Sequence, residues 1–176
     1  MVANLRSCLE LCPMNILLAV VVGLLVTAAD DPDKPKLSMS PAVACAKIKG
    51  FGDYVALDEP VLTRDDKLQV YYEPSGFAYE LVGKEYRVHL TQEGRVHRRG
   101  QKAVLMSKEK LLDYQGRSKT PPVDNVYLSN TVALKSLPPG EYDFEILLRD
   151  ELGKGPVASQ LLKFRVKESD APPPKP

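Results

Sequence analysis

The densest run of side chains able to do chemistry is RVHRRGQK, which sets Arg95, Arg98, Arg99 and Lys102 around His97. Guanidinium and ammonium groups at this spacing can hold a phosphate, a sulfated glycan or an acidic protein patch through charge-assisted hydrogen bonds. Read as a solvated hairpin tip, the same run uses its charges to discourage edge pairing. Arg95, His97, Arg98, Arg99 and Lys102 are therefore the candidate binding residues. His89 and His97 are the two histidines of the chain, and neither has a cysteine or carboxylate at metal-ligand spacing. His89 is expected to face solvent. Asp30, Asp31 and Asp33, and the pair Asp65 and Asp66, do not follow a calcium-loop pattern. A nucleophile elbow, a zinc-protease helix motif, a phosphate loop and a dinucleotide fingerprint are all missing. The sequence assigns no catalytic residue, no metal ligand and no cofactor. Tyr71, Tyr72 and Tyr79, around Pro74-Ser75-Gly76, are a second candidate, an aromatic face for a sugar or peptide. Strand packing accounts for them without any ligand.

These residues need elements to hold them, and the chain reads as strands. Tyr142, Phe144, Ile146 and Leu148 alternate with Glu141, Asp143 and Glu145 after Pro138-Pro139-Gly140, the period of a half-buried strand behind a turn. Leu68, Val70 and Tyr72 repeat the pattern, as do Tyr86, Val88 and Leu90 ahead of Gly94, and Leu162, Phe164 and Val166. Lys47 to Leu57 is interrupted by Gly50 and Gly52, which predicts a bend or bulge. Ala103 to Met106, Leu111-Leu112 and Val126 to Leu134 supply shorter runs. The spacing predicts an all-β fold, an antiparallel β-sandwich of about seven strands with Tyr86, Phe144 and Phe164 facing one core. Ser107 to Tyr114 is the one stretch that fits a helix, in an α+β alternative.

The ends read differently from the middle. Residues 1–29 carry an apolar run, Ile16 to Ala29, behind Arg6. It falls short of the roughly 20 apolar residues that span a bilayer. It matches a secretory signal peptide cleaved near Ala28 or Ala29, with an uncleaved anchor as the alternative. Residues 30–44 read as a linker, 45–168 as the folded domain, and 169–176 as a proline-rich tail. Cys8 and Cys12 lie in the presumed leader, which leaves Cys45 alone. Removing residues 1–29 takes away Arg6 and Glu10, so the formal net charge stays at +1. Near-neutrality argues against nucleic acid as a partner and against the membrane surface, apart from the signal segment itself.

The stretch LPPGEYDFEI resembles the turn and penultimate strand of fibronectin type III and related immunoglobulin-like domains, where a leucine and a Pro-Gly lead into a tyrosine corner. The resemblance implies that Leu137 plugs the core edge and that the Tyr142 hydroxyl returns to backbone upstream, with Gly140 a structural residue of the turn between them. The spacing differs from the fibronectin pattern. With no Trp and no Cys pair, an antibody-type domain is excluded. KIKGFGDY, LQVYYEPSGF and the segment from Leu137 to Val166 are also similar to exported bacterial proteins with an immunoglobulin-like sandwich. That similarity implies a non-catalytic, extracytoplasmic binding or structural interaction module of the bacterial cell envelope. Its partner would be a protein or an anionic envelope component. The alternative is a protease-inhibitor-like sandwich, since small bacterial inhibitors have a comparable Pro-Gly-x-Tyr strand.

Overall fold

Alternation of apolar and polar side chains is carried into twelve strands and no helix in the computed structural model, which describes residues 36–121 and 125–168. They are β1 (Ser38–Met39), β2 (Val43–Gly50), β3 (Asp53–Ala56), β4 (Val61–Thr63), β5 (Lys67–Tyr72) and β6 (Pro74–Ser75), then β7 (Glu80–Val82), β8 (Glu85–Arg98), β9 (Val104–Ser118), β10 (Leu128–Ala133), β11 (Gly140–Asp150) and β12 (Ala158–Lys167). The chain is all β over these residues. The expected signal peptide at 1–29 and the proline-rich tail at 169–176 lie outside them.

Two larger sheets carry the core. The smaller has the order β10-β5-β2-β3, and every pairing in it is antiparallel. The larger runs β4-β12-β11-β8, with β4 parallel to β12. β8 is paired on both edges. Residues 90–97 lie between β11 and β9, and Tyr86 lies between Leu81 of β7 and Ser118 of β9. β7 therefore continues the β11 side of β8, and β9 is the outer strand. A two-stranded ribbon of β1 and β6 completes the set.

The inward alternates of both sheets fall in one hydrophobic cluster. Leu68, Val70 and Tyr72 of β5 and Leu128 of β10 meet Val88, Leu90, Phe144, Ile146, Leu148 and Phe164 there. A polar bridge crosses the same interior, where Gln92 Oε1 accepts from Tyr72 Oη at 2.7 Å and from Asn130 Nδ2 at 2.9 Å. Burial pushes the Tyr72 pKa up, which keeps its hydroxyl a donor. Tyr142 is fully buried, stacks on Phe164 with centroids 5.5 Å apart, and donates its hydroxyl to the Pro138 carbonyl. Leu137 is buried just before it, its N–H bonded to the Leu134 carbonyl. Tyr142→Phe keeps the ring and orphans a carbonyl. Chemical denaturation should show a loss of about 0.5–1.5 kcal/mol, rising toward roughly 3 if that carbonyl finds no water. An unchanged midpoint would remove the hydroxyl bond from the energetics.

Several sequence expectations need correction. Order begins inside the stretch read as linker, because Leu37 is buried and Val43 and Ala44 already belong to β2. Gln160 holds this segment to β12, its Oε1 accepting from Ala42 N–H and its Nε2 donating to the carbonyls of Met39 and Ser40. Gly94 does not end a strand. β8 passes through it to Arg98, and the missing side chain makes room for the Phe144 ring, which a Cβ at position 94 would approach to 2.8 Å. Gly52, at φ +66°, turns the β2–β3 hairpin, while the irregular register lies at Cys45/Lys47 and Ile48/Gly50. The possible helix at Ser107 to Tyr114 is part of the long strand β9. That strand is bulged between its pairings at Lys108 and Leu112, with Lys110 at φ 48°. Tyr86 is outside the core cluster, for a reason that defines the candidate site.

Candidate binding site

Toward the start of β8 the inward face of the larger sheet is only partly covered: Val88 is buried in the core, and Tyr86 is half-buried and outside it. Tyr86 and Val88 of β8 and Tyr114, Gly116 and Ser118 of β9 share that face by alternation, and Leu81 joins it as the register partner of Tyr86. The facing wall is Asn125 and Val126, just ahead of β10, with Thr120 and Pro121. Together they enclose a cleft of about 280 Å³. Gly116 keeps it open. A Cβ at that position would lie 2.7 Å from the Tyr114 hydroxyl and 2.9 Å from its ring. Tyr79 packs edge-on against Tyr86 at 5.5 Å, and Tyr79 and Leu81, the register partner of Tyr86, are both exposed. The lining is mixed and more polar than apolar, with the hydroxyls of Ser118 and Thr120, the Asn125 amide and Arg117 set beside Tyr86, Val88, Tyr114 and Val126. A ligand would be held by polar contacts as much as by apolar ones. Alternation at Tyr86 was legible in the sequence, but its position outside the core cluster was not.

The basic run has a different fate from the expected free tip. Arg95 and His97 lie within β8 on the outward face of the larger sheet, where β11 presents carboxylates in register. Arg95 Nε sits 2.6 Å from Glu93, and its Nη1 3.7 Å from Glu145. His97 Nε2 is 3.3 Å from Glu145, and its Nδ1 is buried without a partner. Arg99 pairs with Glu141 at 2.8 Å and with Asp143 at 3.6 Å. Arg98 points at the Pro139 carbonyl at 3.5 Å, beside Gly140, and Lys102 stands in the exposed turn. The outer face is thus a charge ladder rather than a cationic patch. Arg165 and Arg99 together hold the Glu141 carboxyl below its usual range.

The remaining candidates scatter. His89 is half-exposed on that same face, 2.9 Å from Asp113, whose pKa it lowers. The three tyrosines part company. Tyr72 is core and Tyr79 borders the cleft. Tyr71 is stacked between Tyr54 and Tyr127 at 4.3 and 5.4 Å. The Tyr71 hydroxyl accepts from Gly52 N–H and donates to Glu73, and burial pushes its pKa up to about 12. Asp66 closes a turn by accepting from the backbone and hydroxyl of Thr63 at 2.7 Å. Cys45 is a buried free thiol whose pKa burial raises, the reverse of what a nucleophile needs. Among the described residues no group of three His, Cys, Asp or Glu side chains could hold a metal ion. No family model matches the chain, and no curated protein matches it.

Proposed function

We propose that the chain is a non-catalytic binding module of the bacterial cell envelope, exported and immunoglobulin-like in architecture, that holds an extended segment of a partner protein in the cleft at Tyr86, Tyr114 and Val126. The observation that carries this reading is that Tyr86, which lines the cleft, is flanked by exposed Tyr79 and Leu81. Apolar surface left open beside a cleft marks an interaction site more often than chance exposure does. Arg117 of the cleft lining, with Lys84 and Lys119, outnumbers the nearby Glu80 and Glu85 by three to two, so a segment with an apolar anchor and acidic flanks fits best.

The reading is tested with the full chain as bait in envelope extracts. Leu81→Asp places a charge beside Tyr86, and Gly116→Ala pushes the Tyr114 ring into the cleft; both should leave the core intact. Capture of the recovered protein should fall about tenfold or more with Leu81→Asp, the worth of one buried leucine. It should persist in the double variant Arg95→Glu, Arg99→Glu. The opposite pattern would move the site to the charge ladder, and inhibition across a protease panel would favour the inhibitor reading.

A further inference from the structure

We propose that Arg87 and Arg117 form a site for a tetrahedral oxyanion, a phosphate or sulfate group, on the outward face of the β7–β8–β9 end of the larger sheet. Cross-strand charges elsewhere in this sheet are sorted by sign. Glu141 faces Arg165, Asp143 faces Lys163, Glu145 faces Arg95 and Glu80 faces Arg87. Among the described residues, the one registered pair of like charge is Arg87 and Arg117. Directly opposed residues hold their Cβ atoms about 4.5–5.5 Å apart, and like charges at that separation destabilise the pairing. A sheet that matches charge elsewhere carries a cost here, which Glu80 beside Arg87 and Glu85 at 4.0 Å from Arg117 offset only in part.

The partners of the two arginines sharpen the contrast. Arg95, Arg99 and Arg165 each reach a carboxylate at 2.6–2.8 Å. Arg87 has no hydrogen bond or ion pair with any described residue, although Glu80 is in register with it. Arg117 reaches only Glu85, at 4.0 Å. Around them lies a hollow of about 130 Å³, lined by Arg87, His89, Gln115, Arg117, Glu80 and Leu152. That is the liquid volume of roughly four waters, room for one oxyanion. Asp113, a further carboxylate on β9, is taken up by His89 at 2.9 Å and Gln115 at 3.4 Å. Glu80 and Glu85 remain as internal competitors, which favours a dianion able to engage both guanidinium forks. Arg87 and Arg117 alternate with Tyr86, Val88 and Gly116, so their strand positions are on the other face of β8 and β9, although Arg117 also borders the cleft. Arg87 does not line the cleft, so Arg87→Gln tests the site separately from the cleft reading.

The test is a titration of the isotope-labelled full chain with inorganic phosphate, then sulfate, at low ionic strength, followed by backbone and guanidinium resonances. Saturable shifts are expected at Arg87, His89, Gln115 and Arg117, and none at Arg95, Arg99 or Arg165. Arg87→Gln and Arg117→Gln should each weaken binding about tenfold, one charge-assisted contact apiece. Without anion, Arg117→Gln should raise the unfolding midpoint by about 1–2 °C, because the opposed charge is gone. A merely structural arginine would lower it. A sulfated oligosaccharide and phosphatidylglycerol vesicles, run beside free phosphate, identify the carrier of the group, and binding of any one that is lost in Arg87→Gln supports the site. Non-saturating shifts spread over every surface arginine, or a lowered midpoint for Arg117→Gln, overturn it.

Discussion

Phe144→Ala should cost about 3–5 kcal/mol, the range for deleting a buried phenylalanine ring. The side chain is 1% exposed and sits in register between Val96 of β8 and Leu162 of β12, at the centre of the larger sheet's inner face. Its ring covers Gly94, so the glycine and the ring are two halves of one packing solution. Gly94→Ala alone should cost about 1–3 kcal/mol, since the new methyl meets both the Phe144 ring and Leu111 Cδ2 at 2.8 Å. In the Phe144→Ala background that second penalty should shrink, because half of the clash has gone. Urea unfolding of the wild type, the two single variants and the double variant measures the coupling. Strict additivity would show that the ring does not rest on Gly94.

Gln92→Ala should be comparably damaging, by about 3–5 kcal/mol, although it removes a polar side chain. Gln92 is fully buried, and its one carbonyl oxygen is the acceptor for both Tyr72 and Asn130. Truncation leaves two buried donors from the smaller sheet with nothing to bond, at roughly 1–3 kcal/mol each. The cluster is also only partly satisfied as it stands, since Gln92 Nε2 and Asn130 Oδ1 have no protein partner. Replacing all three members with Gln92→Leu, Tyr72→Phe and Asn130→Leu should therefore recover most of the loss, because no polar atom is then stranded. A triple variant no more stable than Gln92→Ala would mean that the bridge contributes something beyond pairwise satisfaction, such as fixing how the two sheets meet.

The sequence by itself pointed to the all-β character that the described residues have, and it placed the inward residues of β5, β11 and β12. A period of two is a local property, written in neighbours such as Tyr142, Phe144, Ile146 and Leu148, and any sheet that buries one face must honour it. Leu137 and Tyr142 were legible for the same reason, since the hydroxyl's partner at Pro138 is four residues away. Gly94 was misread because a glycine's local meaning is a turn, whereas its meaning here is a ring from another strand. Arg99 looked free because Glu141 and Asp143 lie over forty positions along the chain and meet it only through the register of β8 with β11. Arg95 had a partner two residues away in Glu93, on the same face of one strand, and the reading as a hairpin tip hid it. The cleft at Tyr86, Tyr114 and Val126 and the opposed pair Arg87 and Arg117 were invisible on the same ground. Both exist because β9 returns beside β8 in one particular register, and Arg117 is thirty residues from Arg87 in sequence. Which alternates face inward is fixed by neighbouring residues. Which charges meet, and where a face is left uncovered, is decided by pairings that bring distant residues together.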